Sequence, residues 1–494
     1  MIRIDILPDN VLLEIFDFYV KTYSSHIEKR MIEAWQSLVH VCRRWRILVL
    51  RSPRRLNLRL YCTPNTPARD TLDVWPALPL IVWGTVDLSS TDNIIAAFRQ
   101  SNRVCQVFLV LLEGWQWEEV LAAMLVPFPE LTYLRLLLDH KTVPVVPDSF
   151  LDGSAPRLRI FDSQGIPFPG LPKLLLSATH LVTLSLTDIP HSGYISPEAI
   201  VALISVLSSL ENLSLQFQSP QSFPDREIQR PPPKRSVIPT LTFFYFKGVI
   251  EYLEDLVTGI DTPQLDKLYI TFLNQIDFFT PRLAQFINRI PKLGKRDATV
   301  QFIDYFARVG LAPGTVEISI SCREPDWQLS SIEQVCNSCL HLLSTVEDLN
   351  IEHEYSKLVW KDDEIENTLW LQLLLPFTAV KNLYLSKEFS PGIAAALKEL
   401  VGGGITEVLP SLQNIFVEEP EQSGPFQENI EQFVAARQLS DHPIAISVWN
   451  DDSNMKQMPL YLGRSSVRAR DGTWSLGSGA QSSRSSSLPP FPLP

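Results

Sequence analysis

The sequence predicts an α/β protein in which an N-terminal helical module precedes an irregular solenoid of parallel strands alternating with helices. Three observations carry this. Two amphipathic segments occupy the first fifty residues; an apolar spacing of Leu-x-x-Leu-x-Leu recurs down the chain; helix-start signals fall between its copies. The organisation implied is a helical module at 1–52, a connector or first repeat cap at 53–103, repeats over 104–460 with a Pro-rich insert at 219–236, and a Ser/Arg/Pro tail at 461–494.

The first segment opens at Ile6-Leu7-Pro8-Asp9. Pro8 suits a first helical turn, where its missing N–H costs no bond, and Asp9 and Glu14 place negative charge toward the positive end of the helix dipole. Leu12, Ile15, Phe16 and Tyr19 recur at spacings of three and four, with Leu13 and Val20 widening the apolar stripe. A second stripe, Trp35, Leu38, Val41, Cys42, Trp45 and Leu48, runs beside Arg43, Arg44 and Arg46, and a break into two shorter helices is compatible with it. The polar stretch from Lys21 to Arg30 separates the halves. Some fifty residues bury too little surface to be comfortably stable alone, so a partner is expected to complete this module.

The Leu-Pro start, the Ile15-Phe16 pair and the run Val41-Cys42-Arg43-Arg44-Trp45-Arg46 together resemble an F-box, the adaptor-docking module of Skp-cullin-F-box ubiquitin ligases. The resemblance covers roughly residues 4 to 50. It implies that Leu7, Pro8, Leu12, Ile15, Phe16 and Trp45 face a Skp-type adaptor, and through it a cullin.

In the connector, Ser52-Pro53 stops the helix, Leu56, Leu58 and Leu60 alternate as a short strand, and the Pro-broken apolar stretch from Asp70 to Trp83 packs between modules. The repeat pattern is clearest at Leu131/Leu134/Leu136, Leu181/Leu184/Leu186, Leu210/Leu213/Leu215, Leu265/Leu268/Ile270, Val346/Leu349/Ile351, Val380/Leu383/Leu385 and Leu412/Ile415/Val417. Weaker copies sit at Val104/Val107/Leu109, Leu158/Ile160, Leu241/Phe244/Phe246 and Ile318/Ile320. Each marks one short half-buried strand, because strand side chains alternate between faces. Ser196-Pro197, Thr280-Pro281 and Ser390-Pro391 each set a capping hydroxyl before Pro at a helix start, and Gly402-Gly403-Gly404 ends the last of these helices. A strand-helix unit cannot bury its own apolar edge, whereas stacked neighbours share one core.

These repeats resemble the leucine-rich repeats carried by many F-box proteins, and the whole order is similar to fungal F-box proteins with an irregular leucine-rich-repeat solenoid. Two departures stand out: the step from Leu349 to Leu383 exceeds the roughly 20–29 residues of that repeat, and Asp139, Ile189 and Leu273 stand where it has Asn or Cys.

A net charge of −12 argues against a nucleic-acid or anionic-membrane partner. No apolar run approaches the ~18 residues a bilayer requires, and the helical module starts too near Met1 for a signal peptide, so an intracellular chain, cytoplasmic or nuclear, is expected. Six sparse cysteines fit reduced thiols better than a disulfide framework. Cys336 and Cys339, with His341 and His353 nearby, invite a zinc reading, but the run before Cys336 is helical and a second spaced ligand pair is lacking, so no metal is expected. There is no phosphate loop and no Gly-x-Ser-x-Gly elbow. Glu352-His353-Glu354 fits a strand edge, and the 362–364 acidic run a solvated loop. Neither catalysis nor a cofactor is expected.

Binding is expected on the outward face of the strands. Alternation places Tyr133, Arg135, Arg157 and Arg159 there early, and Thr183, Ser185, Asn212 and Ser214 next. Glu317, Asp348, Asn350, Glu352, Asn382, Tyr384, Asn414, Phe416 and Glu418 follow late. Between them Phe243, Tyr245, Lys247, Lys267 and Tyr269 combine the aromatic and cationic types that dominate interface energies, and are the substrate-contact candidates. The competing explanation is that these rings only stack across strands.

Overall fold

The computed structural model of the chain describes residues 6–24, 34–111, 114–138, 145–220, 235–273, 278, 280–293, 296–303, 305–311, 314–322, 324–338, 341–353, 367–418 and 425–449. Nearly all of the Pro-rich insert, Cys339, Glu354, the 362–364 run and the tail lie outside these residues. The described residues fall into two units, the first reaching residue 138 and including 149–155, the second comprising 145–148 and 156–449.

The first unit begins with helices α1 (Asp9–Ser24), α2 (Ala34–Val39) and α3 (Arg43–Arg51). The second apolar segment is thus two helices, parted at His40 to Cys42. Phe16 of α1 packs on Trp45 of α3 at 4.7 Å, and Arg44 binds the start of α1, donating to Asp9 Oδ1 at 2.6 and 3.1 Å and to Leu7 O at 2.6 Å. The segment expected as connector carries β1 (Leu60–Cys62), α4 (Ala68–Val74), β2 (Leu80–Val86) and α5 (Thr91–Phe98). β3 (Val104–Leu111), α6 (Gly114–Ala123) and β4 (Tyr133–Leu138) follow, and β1 to β4 pair in order as parallel strands. The run Leu80-Ile81-Val82 is buried on both faces, which erases the alternation by which a strand shows in sequence. Trp35 docks the helices on this sheet, its indole N–H donating to Arg59 O at 3.1 Å and its ring meeting Trp75 edge-on at 5.1 Å.

The second unit continues the strand-helix alternation with β5 (Ile160–Gln164), α7 (Leu171–Leu175), β6 (Thr183–Ile189), α8 (Pro197–Val206), β7 (Asn212–Phe217), β8 (Ser236–Val237), β9 (Phe243–Gly248) and α9 (Ile250–Gly259). Then come β10 (Ile260–Asp261), β11 (Lys267–Leu273), α10 (Pro281–Asn288), β12 (Asp297–Ile303), β13 (Phe306–Leu311), β14 (Val316–Ser321) and α11 (Pro325–Ser338). The last are β15 (Asp348–His353), α12 (Asn367–Leu374), β16 (Asn382–Leu385), α13 (Ser390–Glu399), β17 (Asn414–Glu418), α14 (Pro425–Leu439) and β18 (Ala445–Trp449).

Its main sheet runs β5-β6-β7-β9-β11-β14-β13-β12-β15-β16-β17-β18, while β8 pairs with β10 apart from it. Every clear Leu-x-x-Leu-x-Leu copy in this unit contributes a strand, with its last two apolar residues buried. The copy at Leu158/Ile160 is corrected by one position: Ile160 sits in the outward row opposite Thr183, and Leu158, Phe161 and Ser163 point inward. A buried Ser in the third place hid the triplet.

One interruption is absent from the repeat pattern. β13 is antiparallel to both β12 and β14, so three strands stand between β11 and β15 where one repeat would supply one. The connections flanking β13 are too short for the crossover that parallel pairing needs. Ala298, Val300 and Phe302 in β12 and Ala307, Val309 and Leu311 in β13 supply the buried face without a leading Leu.

Helix capping follows the expected rule only once. Ser196 Oγ accepts from Ala199 N at 3.2 Å. Ser390 lies inside α13, and Thr280 makes no side-chain cap. The start of α10 is capped from the preceding repeat instead, by buried Glu254 of α9, which accepts from Arg282 N at 3.0 Å and Leu283 N at 2.7 Å. Burial raises the Glu254 pKa, against those two hydrogen bonds and the Arg282 charge. Glu254→Ala strands two buried donors and should cost about 2 kcal/mol in denaturant unfolding. Because the folded carboxyl holds its proton more tightly than the usual 4.5, its contribution is complete below that pH and is lost as pH rises through the raised value. Glu254→Gln should flatten this part of the stability–pH curve; an unchanged slope would show the carboxyl titrates normally.

Candidate functional site

Two kinds of surface gather the candidate residues. The first is on the helical trio. Leu12 and Phe16, expected at an adaptor interface, have no exposure and form the inside of the trio, while Trp45 is half-buried against Phe16. Leu7 is half-buried, and Pro8 and Ile15 are exposed. Sequence reading missed the rest of the open apolar surface: Ile6 is 74% exposed, Phe18 73% and Val41 58%, with Val11 and Ile47 also exposed. Val11, Ile15 and Phe18 are spaced by four and three, so they form a second stripe on α1 beside the one that packs inward. A stripe on both sides of one helix was legible as breadth, but which side the trio covers depends on where α3 lies.

The second surface is the outward face of the strands, described for each unit separately. In the second unit, register sets Phe243 beside Lys267, Tyr245 beside Tyr269 and Lys247 beside Thr271, so the five substrate-contact candidates form one patch on β9 and β11. Phe243 and Tyr269 are ring neighbours at 5.6 Å; Tyr269 donates to Gly314 O at 3.1 Å, and Tyr245 Oη lies 3.4 Å from Thr271 Oγ1. Burial, offset by the Thr271 bond and reinforced by Glu317 and Asp188, raises the Tyr245 pKa. Cross-strand stacking and outward presentation therefore coexist here.

Toward β18 the face turns acidic and amide-rich. Asn414 donates to Asn382 Oδ1 at 2.8 Å and Asn382 to Asp348 Oδ1 at 2.6 Å, continuing the row to Asp297. Burial raises the Asp297 pKa, as do the charge of Asp348, a hydrogen bond with it and Glu347, against Arg296. Tyr384 and Phe416 stack at 4.6 Å with planes 10° apart. Gln301 donates to Glu352 Oε2 at 2.6 Å, and Arg308 both donates to Gln301 and pairs with Glu317 at 3.6 Å.

In the first unit the outward face is aromatic. Trp83 and Phe108 lie face to face at 3.9 Å, 8° apart, and the Arg135 guanidinium carbon stands 5.2 Å from the Phe108 centroid. Register fixes this line, Trp83 beside Phe108 beside Arg135. Of the three, sequence alternation names only Arg135 as outward-facing: the strand carrying Trp83 shows no alternation, and Phe108 lies on the recognised Val104/Val107/Leu109 strand without being singled out.

Among the described residues no group of three or more His, Cys, Asp or Glu side chains is arranged to hold a metal ion, and no helix is long and apolar enough to cross a membrane. Cys336 is buried in α11. Burial pushes the Cys62 thiol up to about 11, against the charge of Arg103, and also raises Cys105; both shifts oppose thiolate formation.

The fold class these elements define is an α/β repeat architecture of the irregular leucine-rich-repeat kind, with short parallel strands on one layer and helices on the other. No family model matches the chain, and no curated protein matches it. Among solved structures it is similar to the leucine-rich repeat-containing protein LegL7 from Legionella pneumophila, at 13% identity over 76% of this chain and 97% of that one, with a TM-score of 0.27.

Proposed function

We propose that the chain is a substrate receptor of a Skp-cullin-F-box ubiquitin ligase, its helical trio docking a Skp-type adaptor and its outward strand faces holding a protein target. The observation that carries this is the open apolar stripe of Val11, Ile15 and Phe18, with Ile6, Val41 and Ile47 also exposed, on a trio whose own core is already closed by Leu12, Phe16, Val20 and Trp35. An exposed apolar stripe of this kind favours a protein partner. The receptor's action is positional: it raises the effective concentration of target lysines near the ligase, and other subunits perform the bond chemistry.

Changing Ile15→Asp and Phe18→Asp together should abolish adaptor and cullin capture by the tagged full chain, at least 100-fold on a pulldown, with thermal unfolding unchanged, since both side chains are exposed. Undiminished capture would refute docking through this stripe. Leu7, Pro8 and Trp45 belong to the same proposed interface, but Trp45 also supports Phe16, so its removal tests stability and docking together. A second reading, a leucine-rich-repeat scaffold outside any ligase, is favoured if adaptor is captured and cullin is missing. Phe243, Tyr245, Lys247, Lys267 and Tyr269 remain the proposed target contacts.

A further inference from the structure

Among the described residues, the second unit's sheet ends at β18 with its core row unfinished. Register carries two inward rows to that strand, Leu383, Ile415 and Ile446 in one and Leu385, Val417 and Val448 in the other. Ile415 and Val417 have no exposure, whereas Ile446 is 42% exposed and Val448 61%. The helix layer ends differently. Apart from Ala435 and Leu439, the exposed positions in the body of α14 are Gln427, Glu428, Glu431, Gln432 and Gln438. A polar outer helix face is how a repeat array closes, so what this end lacks is a strand and not another strand-helix unit.

The backbone is open along the same edge. Ala445 N donates to Gln413 O at 2.8 Å, so Ala445 turns its backbone groups toward β17. Alternation then points the N–H and C=O of Ile446 and Val448 to the other side, away from β17. Such an edge, with apolar side chains beside it, is a template for a further strand.

This edge is complementary to itself. In an antiparallel pairing of two copies of β18 about a twofold axis at Ser447, Ile446 of each copy stands opposite Val448 of the other. Residues whose groups face the partner form the pairs that exchange both hydrogen bonds, so the open groups of Ile446 and Val448 are all used. Opposite residues share a face, so both apolar rows run on into the second copy, and exposed Ser447, in the outward row beside Phe416, meets its own counterpart. A slip of one residue would set open backbone groups against occupied ones and apolar side chains against the outward face.

We propose that β18 is a homodimerisation edge, at which two copies of this chain join their sheets antiparallel with the axis at Ser447. Two short strands cover less than the roughly 1,200 Å² at which standard interfaces begin, so the dimer is weak and concentration-dependent. Two outward faces then adjoin, and a target with two matching segments is held twice. The proposal rests on β17, α14 and β18 and is independent of what the helical trio binds.

The test is sedimentation velocity of the full chain over about 1–100 µM, where a reversible dimer is expected. Val448→Lys should weaken dimerisation at least ten-fold by placing a charge on the open row. Val448→Pro should do the same, because it removes a donor that faces away from β17 and that the chain's own β17–β18 pairing does not use. Circular dichroism and an unchanged melting midpoint confirm the fold of both. Ser447→Cys sets two thiols across a non-hydrogen-bonded pair, about 4.5 Å between Cα atoms and within disulfide reach, whereas two copies of Ala445→Cys stand about 14 Å apart. A mild thiol oxidant should therefore link Ser447→Cys chains at least five-fold more than Ala445→Cys chains, with peptide mass spectrometry locating the bond. A chain that stays monomeric at every concentration, its edge taken by its own sequence or by a different protein, would overturn the proposal. So would a dimer indifferent to both Val448 changes, or equal linkage at the two cysteines.

Discussion

Arg437→Ala is expected to destabilise the last repeats by about 3–4 kcal/mol. Arg437 has no exposure, yet no carboxylate is among its hydrogen-bond acceptors. Its guanidinium donates to Ile405 O at 3.2 Å, Leu409 O at 3.1 Å and Leu412 O at 3.5 Å. Those carbonyls belong to the turn between α13 and β17, where Gly402 and Gly404 have positive φ and Leu409, a non-glycine, is held at φ 49°. A left-handed leucine persists only where its surroundings over-determine it. Removing the fork therefore orphans buried carbonyls, opens a cavity and releases a strained turn together. Arg437→Lys should recover little, since one ammonium does not reproduce a planar fork reaching three carbonyls. Hydrogen exchange should show early opening of β17 and β18 in the variant; protection equal to the parent chain would show that the turn holds itself.

Trp35→Ala should cost about 3–5 kcal/mol and act in the first unit. The indole is 1% exposed, fills the junction between α2 and the start of the sheet, and makes both the bond to Arg59 O and the edge contact with Trp75. Under the proposed docking, loss of this anchor should lower adaptor capture through loosened helices, with a shifted unfolding midpoint. Phe18→Asp is the contrast: loss of capture with the midpoint in place. If Trp35→Ala leaves the midpoint unmoved, the helices are held by other contacts and the anchor role is wrong.

Strand positions were legible wherever a leading Leu announced the repeat, as at Leu181, Leu210 and Leu265, because the spacing itself specifies one buried face. They were not legible at β2, where both faces are apolar, nor at β12 and β13, where alternation starts from Ala. The outward patch of Phe243, Tyr245 and Tyr269 followed from counting by two. The Trp83–Phe108 stack could not, since a cross-strand neighbour is defined by register between strands, and one of those strands was unrecognised.

By itself the sequence determined that strands and helices alternate, that the first fifty residues contain two broadly apolar helical segments, and which face is buried in each strand announced by a clear Leu-x-x-Leu-x-Leu copy. These are local consequences of side-chain periodicity. Tertiary structure alone decided that β13 runs antiparallel inside a parallel sheet, that Glu254 caps the helix of the next repeat, and that Leu12 and Phe16 lie inside the trio while Val11, Ile15 and Phe18 remain open. Each of these depends on which distant segment arrives beside a residue, and periodicity along one segment carries no information about its neighbour.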